Sequence, residues 1–189
     1  MKEIRIHGRG GQGSVVTAEL LAIAAFKEGL FSQAFPYLGG GGERRGAPVQ
    51  AYCRIDIKPI RLKCQIAEPN FLIIQDASLL GVVDVFKGLQ PGSLILINSV
   101  ESVQDMGLDK LEYKIFCFPA TEVALKILHK PIMNTAMIGA FAVLSGDINL
   151  ECLQEAIEHK FPGQIGLKNI DVMKEAFQLA QERFGRRLV

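Results

Sequence analysis

Six residues, Gly8-Arg9-Gly10-Gly11-Gln12-Gly13, follow the spacing G-x-G-x-x-G between a short alternating segment and a long apolar one. Placed after a strand and before a helix, that spacing brings unobstructed backbone up to an anion. The free N–H groups and the positive dipole end of the helix then favour a phosphate. Two narrower chemistries lack a part. A dinucleotide site needs an acidic residue about 20 positions on, at the end of the second strand, to hold a ribose. The chain has Phe31-Ser32-Gln33-Ala34-Phe35 there. A Walker-type loop needs a lysine after the last glycine, and Ser14 stands in that place. The alternative to anion binding is a tight turn whose glycines, from Gly8 to Gly13, serve only close packing. Arg9 and Gln12 count against that alternative, because packing requires neither side chain.

The second cluster is Glu43-Arg44-Arg45-Gly46, preceded by four glycines from Gly39 to Gly42. Arg44 and Arg45 could clamp a phosphate or carboxylate bidentately, across a subunit boundary if the partner is another chain. The competing reading is a solvated charged loop. Elsewhere the candidates have plainer roles. His7 ends the first strand and reads as a core or edge histidine. His129 and His159 sit near helix C-termini, where a cation meets the dipole favourably. Asn134 reads as a helix N-cap, with Ala136, Gly139 and Ala140 behind it as a small-residue packing face. Asp76 and Asn98 end strands at the edge where open α/β sheets bind ligands. Nothing is arranged as a nucleophile elbow, a carboxylate pair or a metal motif. Cys53, Cys64, Cys117 and Cys152 include no C-x-x-C pair, so neither a zinc site nor an iron–sulfur cluster held by this chain alone is expected.

The elements that must position these residues follow from periodicity. Strands are expected at Lys2 to His7, Leu30 to Ala34, Pro48 to Ile57 and Ile60 to Gln65, the last two joined by a hairpin turn at Asp56 to Pro59. Continuous apolar runs at Phe71 to Gln75, Ser93 to Asn98 and Tyr113 to Phe118 read as buried parallel strands. Helices are expected at Ser14 to Glu28, Leu79 to Leu89, Thr121 to His129, Thr135 to Ser145 and Leu150 to Lys160. The last begins near Val172 and ends near Phe184, with its apolar residues on one face. The sum is a Rossmann-like α/β fold: a mostly parallel sheet with helices on both faces and one antiparallel hairpin.

Composition limits the function classes. The chain has 189 residues, 49% hydrophobic and 22% charged, with 21 basic against 20 acidic side chains. Disorder is excluded by the apolar fraction and the small net charge. Nucleic-acid binding through bulk charge is excluded by the balance. One domain over 1–189 is expected. No apolar stretch reaches the roughly 20 residues of a membrane span, and no signal-like segment opens the chain, so a cytoplasmic protein is expected.

Taken together, Ile4 to Gly13, Thr17-Ala18-Glu19-Leu20-Leu21, Gln33 to Pro36, Glu43-Arg44-Arg45-Gly46-Ala47-Pro48-Val49, Arg54-Ile55-Asp56 and Lys58 to Arg61 resemble the gamma subunits of pyruvate and related 2-oxoacid:ferredoxin oxidoreductases. The likeness runs on through Asn134 to Ala142. It implies a subunit, inactive alone, of an enzyme that oxidatively decarboxylates pyruvate to acetyl-CoA and passes electrons to ferredoxin. It also implies alpha, beta and delta partners, with thiamine diphosphate and iron–sulfur clusters in those partners. Coenzyme A would bind at or near this chain, for which Gly8, Arg9, Gly10, Gly11, Gln12, Gly13, Arg44 and Arg45 are the candidates. The family's aromatic-Gly-Pro before Glu-Arg-Arg is replaced here by Tyr37-Leu38 and four glycines, which implies a longer loop. A branched-chain 2-oxoacid enzyme is the neighbouring option. A free-standing NAD- or FAD-binding domain and a purely structural assembly subunit are the other readings.

Overall fold

The computed structural model describes residues 1–37, 45–146 and 148–185. Arg44, Glu43 and the four-glycine run therefore lie outside the described residues. The chain runs β1 (Lys2–Arg9), α1 (Ser14–Lys27), β2 (Phe31–Tyr37), β3 (Pro48–Asp56), β4 (Phe71–Ile74), a 3-10 turn (Ala77–Gly81), β5 (Leu94–Asn98) and β6 (Lys114–Phe118). It continues with α2 (Ala120–Leu128), α3 (Asn134–Ser145), α4 (Leu150–Lys160) and α5 (Gln164–Phe184).

The six strands form one sheet in the order β2-β3-β1-β4-β5-β6. The β1–β4, β4–β5 and β5–β6 pairings are parallel, and β1–β3 and β2–β3 are antiparallel. The mostly parallel α/β sheet is thus as expected. The period of two sorts its side chains cleanly. Ile4, Ile6, Ala51, Cys53, Ile73, Leu96 and Phe118 point to one face and join the buried residues of all five helices. Leu72, Ile74, Ile95 and Ile97 point to the other, where they meet Leu79, Val85 and Leu89.

That second face differs from expectation, because all five helices pack on the first. Leu79 to Leu89 does not form the expected helix. It makes only the 3-10 turn and then irregular turns. Its backbone is held from outside the segment: Arg5, 5% exposed, donates from Nη2 to Val85 O at 2.9 Å and Lys87 O at 2.6 Å. A side chain on Gly88 would also run into the Ala67 carbonyl. Leu79, Val85 and Leu89 reach the sheet all the same, which is why the apolar period misleads.

Ile60 to Gln65 is likewise not a strand. Its carbonyls are taken by side chains instead of a ladder: Arg54 donates to Cys64 O at 2.8 Å and Gln65 O at 3.4 Å, and Gln33 to Ile60 O at 3.3 Å. The antiparallel partners of β3 are β1 and β2, and the turn after Asp56 is closed by Lys58 N–H on the Asp56 carboxylate.

On the helical side, α3 is buried along almost its whole length. It lies so close to α5 that a Cβ on Gly139 would strike the Met173 carbonyl. This packing fixes the start of α3, at Asn134, beside the glycine turn.

Candidate functional site

β1 delivers the glycine turn to the C-terminal edge of the parallel strands. There it lines an open cleft of about 800 Å³ with Arg45, Gln75, Asp76, Asn98, Thr121 and Asn134. Five of the six turn residues divide into three groups by backbone role. Gly8 and Arg9 still belong to β1, and Gly8 is a packing glycine: a Cβ there would overlap the Ser14 hydroxyl and come 2.7 Å from Gln75 Oε1. Gly10 is bonded on both sides, its N–H to Ala47 O at 2.8 Å and its carbonyl to Gly46 N–H at 3.0 Å. Gly11 and Gly13 adopt φ of 93° and 79°, the left-handed region open to glycine.

Arg9 and Gln12 lock this turn. Gln12 Oε1 accepts from Arg9 N–H at 2.7 Å, and its Nε2 donates to Asp76 Oδ2 at 2.8 Å. Arg9 donates to Gly46 O at 3.0 Å and Ser78 Oγ at 2.7 Å, and its Nε lies 3.2 Å from Asp76 Oδ2. Burial works to raise the Asp76 carboxyl. Hydrogen bonds from Ser78 and Gln12 and the Arg9 charge outweigh it and hold the group below the usual carboxylate range. Arg9 is therefore neutralised by an ionised neighbour. The sequence places Asp76 at the same sheet edge but gives no sign that it pairs with Arg9, 67 positions away in the chain.

The donors that remain are backbone. Gly11, Gly13, Ser14 and Val15 N–H groups have no acceptor among the described residues, and α1 has no side-chain cap. Ser14 Oγ instead donates to Gln75 Oε1 at 2.6 Å, and Gln75 Nε2 donates to Thr17 at 2.8 Å, so a buried amide braces the start of α1 against β4. Arg45 bridges to Gly10 through its backbone. Its exposed side chain has no hydrogen bond or ion pair among the described residues and lines the cleft. Asn98 closes the far side by bonding Thr121 N–H and Thr121 Oγ1 at the start of α2.

Asn134 is not the N-cap expected of it. It is the first residue of α3, after an N-cap at Met133, and caps nothing. It is 5% exposed, and its Oδ1 is buried with no partner. A polar group left so costs about 1–3 kcal/mol. Gln75 and Ser78 were also missed; the signal for Gln75 was a polar residue directly after the apolar run of β4.

His7 lies on the opposite face, 2% exposed, with Nε2 unpartnered. Burial, and then the Arg5 charge, push its imidazole down to about 3, so it stays neutral and away from the cleft. Burial raises the Cys53 thiol to about 12 and the Cys117 thiol to about 11. Among the described residues no three His, Cys, Asp or Glu side chains converge as metal ligands. Nor is any helix long and apolar enough to cross a membrane.

The dinucleotide reading meets a topological obstacle. A ribose-holding acid sits on a strand parallel to β1 and next to it. Here the second strand, β2, lies at the sheet edge with antiparallel β3 between it and β1, and the acid after β4, the parallel neighbour of β1, is Asp76, already held by Arg9 and Gln12.

Comparison with known proteins agrees with the geometry. The family profile described as pyruvate ferredoxin/flavodoxin oxidoreductase matches residues 3–179. The chain is 47% identical to pyruvate synthase subunit PorC of Methanocaldococcus jannaschii, over 98% of this chain and 100% of that one. It is 51% identical to the pyruvate/ketoisovalerate oxidoreductases common subunit gamma of Thermococcus kodakarensis, over 94% and 96%. Among solved structures, pyruvate oxidoreductase subunit PORC of Thermotoga maritima superposes with a TM-score of 0.80 at 30% identity, covering 94% of this chain and 95% of that one.

Proposed function

The chain belongs to the pyruvate ferredoxin/flavodoxin oxidoreductase family, and from that premise we propose that its cleft holds the phosphates of coenzyme A for the complex it serves. It is the gamma subunit of a pyruvate (2-oxoacid):ferredoxin oxidoreductase, a multi-subunit enzyme that converts pyruvate to acetyl-CoA with electrons passing to ferredoxin. The Thermococcus relative is named as common to pyruvate and ketoisovalerate enzymes. On that pattern the choice between those 2-oxoacids belongs to other subunits. Thiamine diphosphate and the iron–sulfur clusters belong, on this reading, to alpha, beta and delta partners.

The observation that carries the coenzyme A reading is the division of the turn. Its side chains are spent on Asp76, Ser78 and Gly46, while the N–H groups of Gly11 and Gly13, which line the cleft, and of Ser14 behind them have no acceptor among the described residues, and the cleft-lining Arg45 side chain has no partner among them either. Such a wall binds an anion without a lysine. This chain's part is to bind and orient: the N–H groups fix the phosphates, and Arg45 supplies the charge that Arg9 cannot. Arg44 is proposed to act with it.

The test is Arg45→Ala in the reconstituted complex. Loss of a charged hydrogen bond at a partly exposed site should raise KM for coenzyme A about tenfold and leave KM for pyruvate unchanged. An unchanged coenzyme A KM would remove Arg45 from the site. Poor co-purification of this chain with a normal KM in the residual complex would make Arg45 an assembly contact.

A further inference from the structure

Away from the cleft, β2 ends the sheet. Its backbone pairs with β3 and has no hydrogen bond to any other described segment. Pro36 shows which groups are left over. It lies opposite Ala51 in the ladder, and a proline is kept in a sheet where its nitrogen faces away from the partner strand. With a period of two, the N–H and C=O groups of Ser32 and Ala34 face outward with it. An edge of this kind accepts an added strand.

Beside that edge runs the irregular segment 57–66, pinned by Arg54 and Gln33. Between Asp56 and Glu68 the chain carries Lys58, Arg61 and Lys63 and no acid, although its total charge is balanced. All three cations are exposed, and none has a side-chain hydrogen bond or ion pair among the described residues. Lys63 overhangs β2 and closes an open groove of about 320 Å³ with Gln33, Ala34 and Phe35. Exposed apolar side chains flank the groove: Phe31 and Tyr37 at the two ends of β2, Ile57 and Leu62 on the segment. The carboxylates of the neighbouring strands are engaged elsewhere. Arg54 holds Glu3 at 2.8 Å, and Asp56 accepts Lys58 N–H at 3.1 Å and lies 3.4 Å from the Met1 amino group.

The charge selects the occupant. A second copy of this chain paired through β2 would set Lys58, Arg61 and Lys63 near their own copies, and like charges across an interface are repulsive. An extended acidic segment meets both the open backbone and the three cations.

We propose that β2 and segment 57–66 receive an extended acidic segment of another subunit of the complex. It adds as a strand outside β2, sets carboxylates against Lys58, Arg61 and Lys63, and lays alternate apolar side chains against Phe31, Phe35 and Tyr37.

The test uses the reconstituted complex, as wild type and with Arg61→Glu and Lys63→Glu combined. Hydrogen exchange is read at single amides, and a zero-length carbodiimide cross-link from Lys58 or Lys63 is located by mass spectrometry. In wild type the Ser32 and Ala34 amides should exchange at least about tenfold more slowly than unpaired amides. The cross-link should reach an Asp or Glu of another subunit. The double variant should bind the remaining subunits about tenfold or more weakly and lose the Ser32 and Ala34 protection. Lys174→Glu, exposed on α5, should change neither. If the double variant does not assemble, Lys63→Gln decides by the same readings. Free exchange at Ser32 and Ala34 in wild type overturns the added strand. Cross-links that run only to a second copy of this chain overturn the acidic partner. The absence of any cross-link, or protection that survives the charge changes, overturns the charge pairing and the proposal with it. An equal loss of binding in Lys174→Glu does the same, by showing an effect of net charge alone.

Discussion

Gly11→Ala and Gly13→Ala differ in that only the second meets a close neighbour, Asn134. Both glycines hold left-handed φ, 93° and 79°, so each alanine should pay a similar strain of about 1–2 kcal/mol. At Gly11 the new methyl meets only Arg45 Cγ, at 3.8 Å, an ordinary contact. At Gly13 it lands 2.5 Å from Asn134 Nδ2, and Asn134 is too buried to swing clear freely. Overpacking of this kind adds roughly 1–3 kcal/mol. Gly11→Ala should therefore cost about 1–2 kcal/mol and Gly13→Ala about 2–5 kcal/mol. Amide hydrogen exchange on the reconstituted complex reads both. Peptides over β1 and α1 should exchange roughly 5–30 times faster in Gly11→Ala. In Gly13→Ala they should exchange faster still, and the loss of protection should spread to the first turn of α3. Coenzyme A KM should rise more in Gly13→Ala. Equal effects of the two substitutions, with α3 protection untouched, would refute the contact between Gly13 and Asn134 and with it the shared cleft wall.

Two further outcomes concern the face away from the cleft. His7 has a folded pKa of about 3 against an ordinary 6.5, so between those values the unfolded chain binds the proton and the folded one does not. Its contribution is fully present above pH 6.5 and is lost as pH falls toward 3; His7→Gln should flatten the dependence of hydrogen-exchange protection on pH in that window, and an unchanged slope would place the effect elsewhere. Arg54, 1% exposed, joins Glu3 at 2.8 Å and Cys64 O at 2.8 Å and lies over the Phe35 ring at 5.5 Å. Arg54→Met should destabilise by about 3 kcal/mol and expose residues 57–66 to limited proteolysis; a wild-type cleavage rate would show that the segment is held by something else.

The strands of the sheet were legible because each was a short apolar or alternating run closed by a polar residue or proline, as Ile74-Gln75-Asp76 and Phe118-Pro119 show. The buried helices were legible for a related reason: α3, almost without polar residues, has to be interior. What could not be read was the irregular cover of the second face. Leu79, Val85 and Leu89 are spaced as a helix would space them, but Arg5, on β1, supplies the bonds that let the chain there leave helical form. The same holds for Ile60 to Gln65, whose alternation resembles a strand while Arg54 and Gln33 occupy its carbonyls. A buried arginine acting 10 or 80 residues away leaves no trace in local periodicity.

The glycine turn raises the same issue at the site. Its sequence suggested a choice between packing and anion binding, and on the proposed reading the two roles fall to different atoms. Gly8 and Gly10 are needed for packing, one against Ser14 and Gln75 and the other in the bridge to Arg45, Gly46 and Ala47. Arg9 and Gln12, whose polarity pointed to a ligand, hold the turn rigid through Asp76. Rigidity is what leaves the remaining donors useful, because N–H groups fixed in place need no ordering when an anion arrives, and that ordering is a principal cost of binding. On the proposed reading the cleft binds its anion through the backbone of the glycine turn and through Arg45, a residue that only the fold brings beside that backbone.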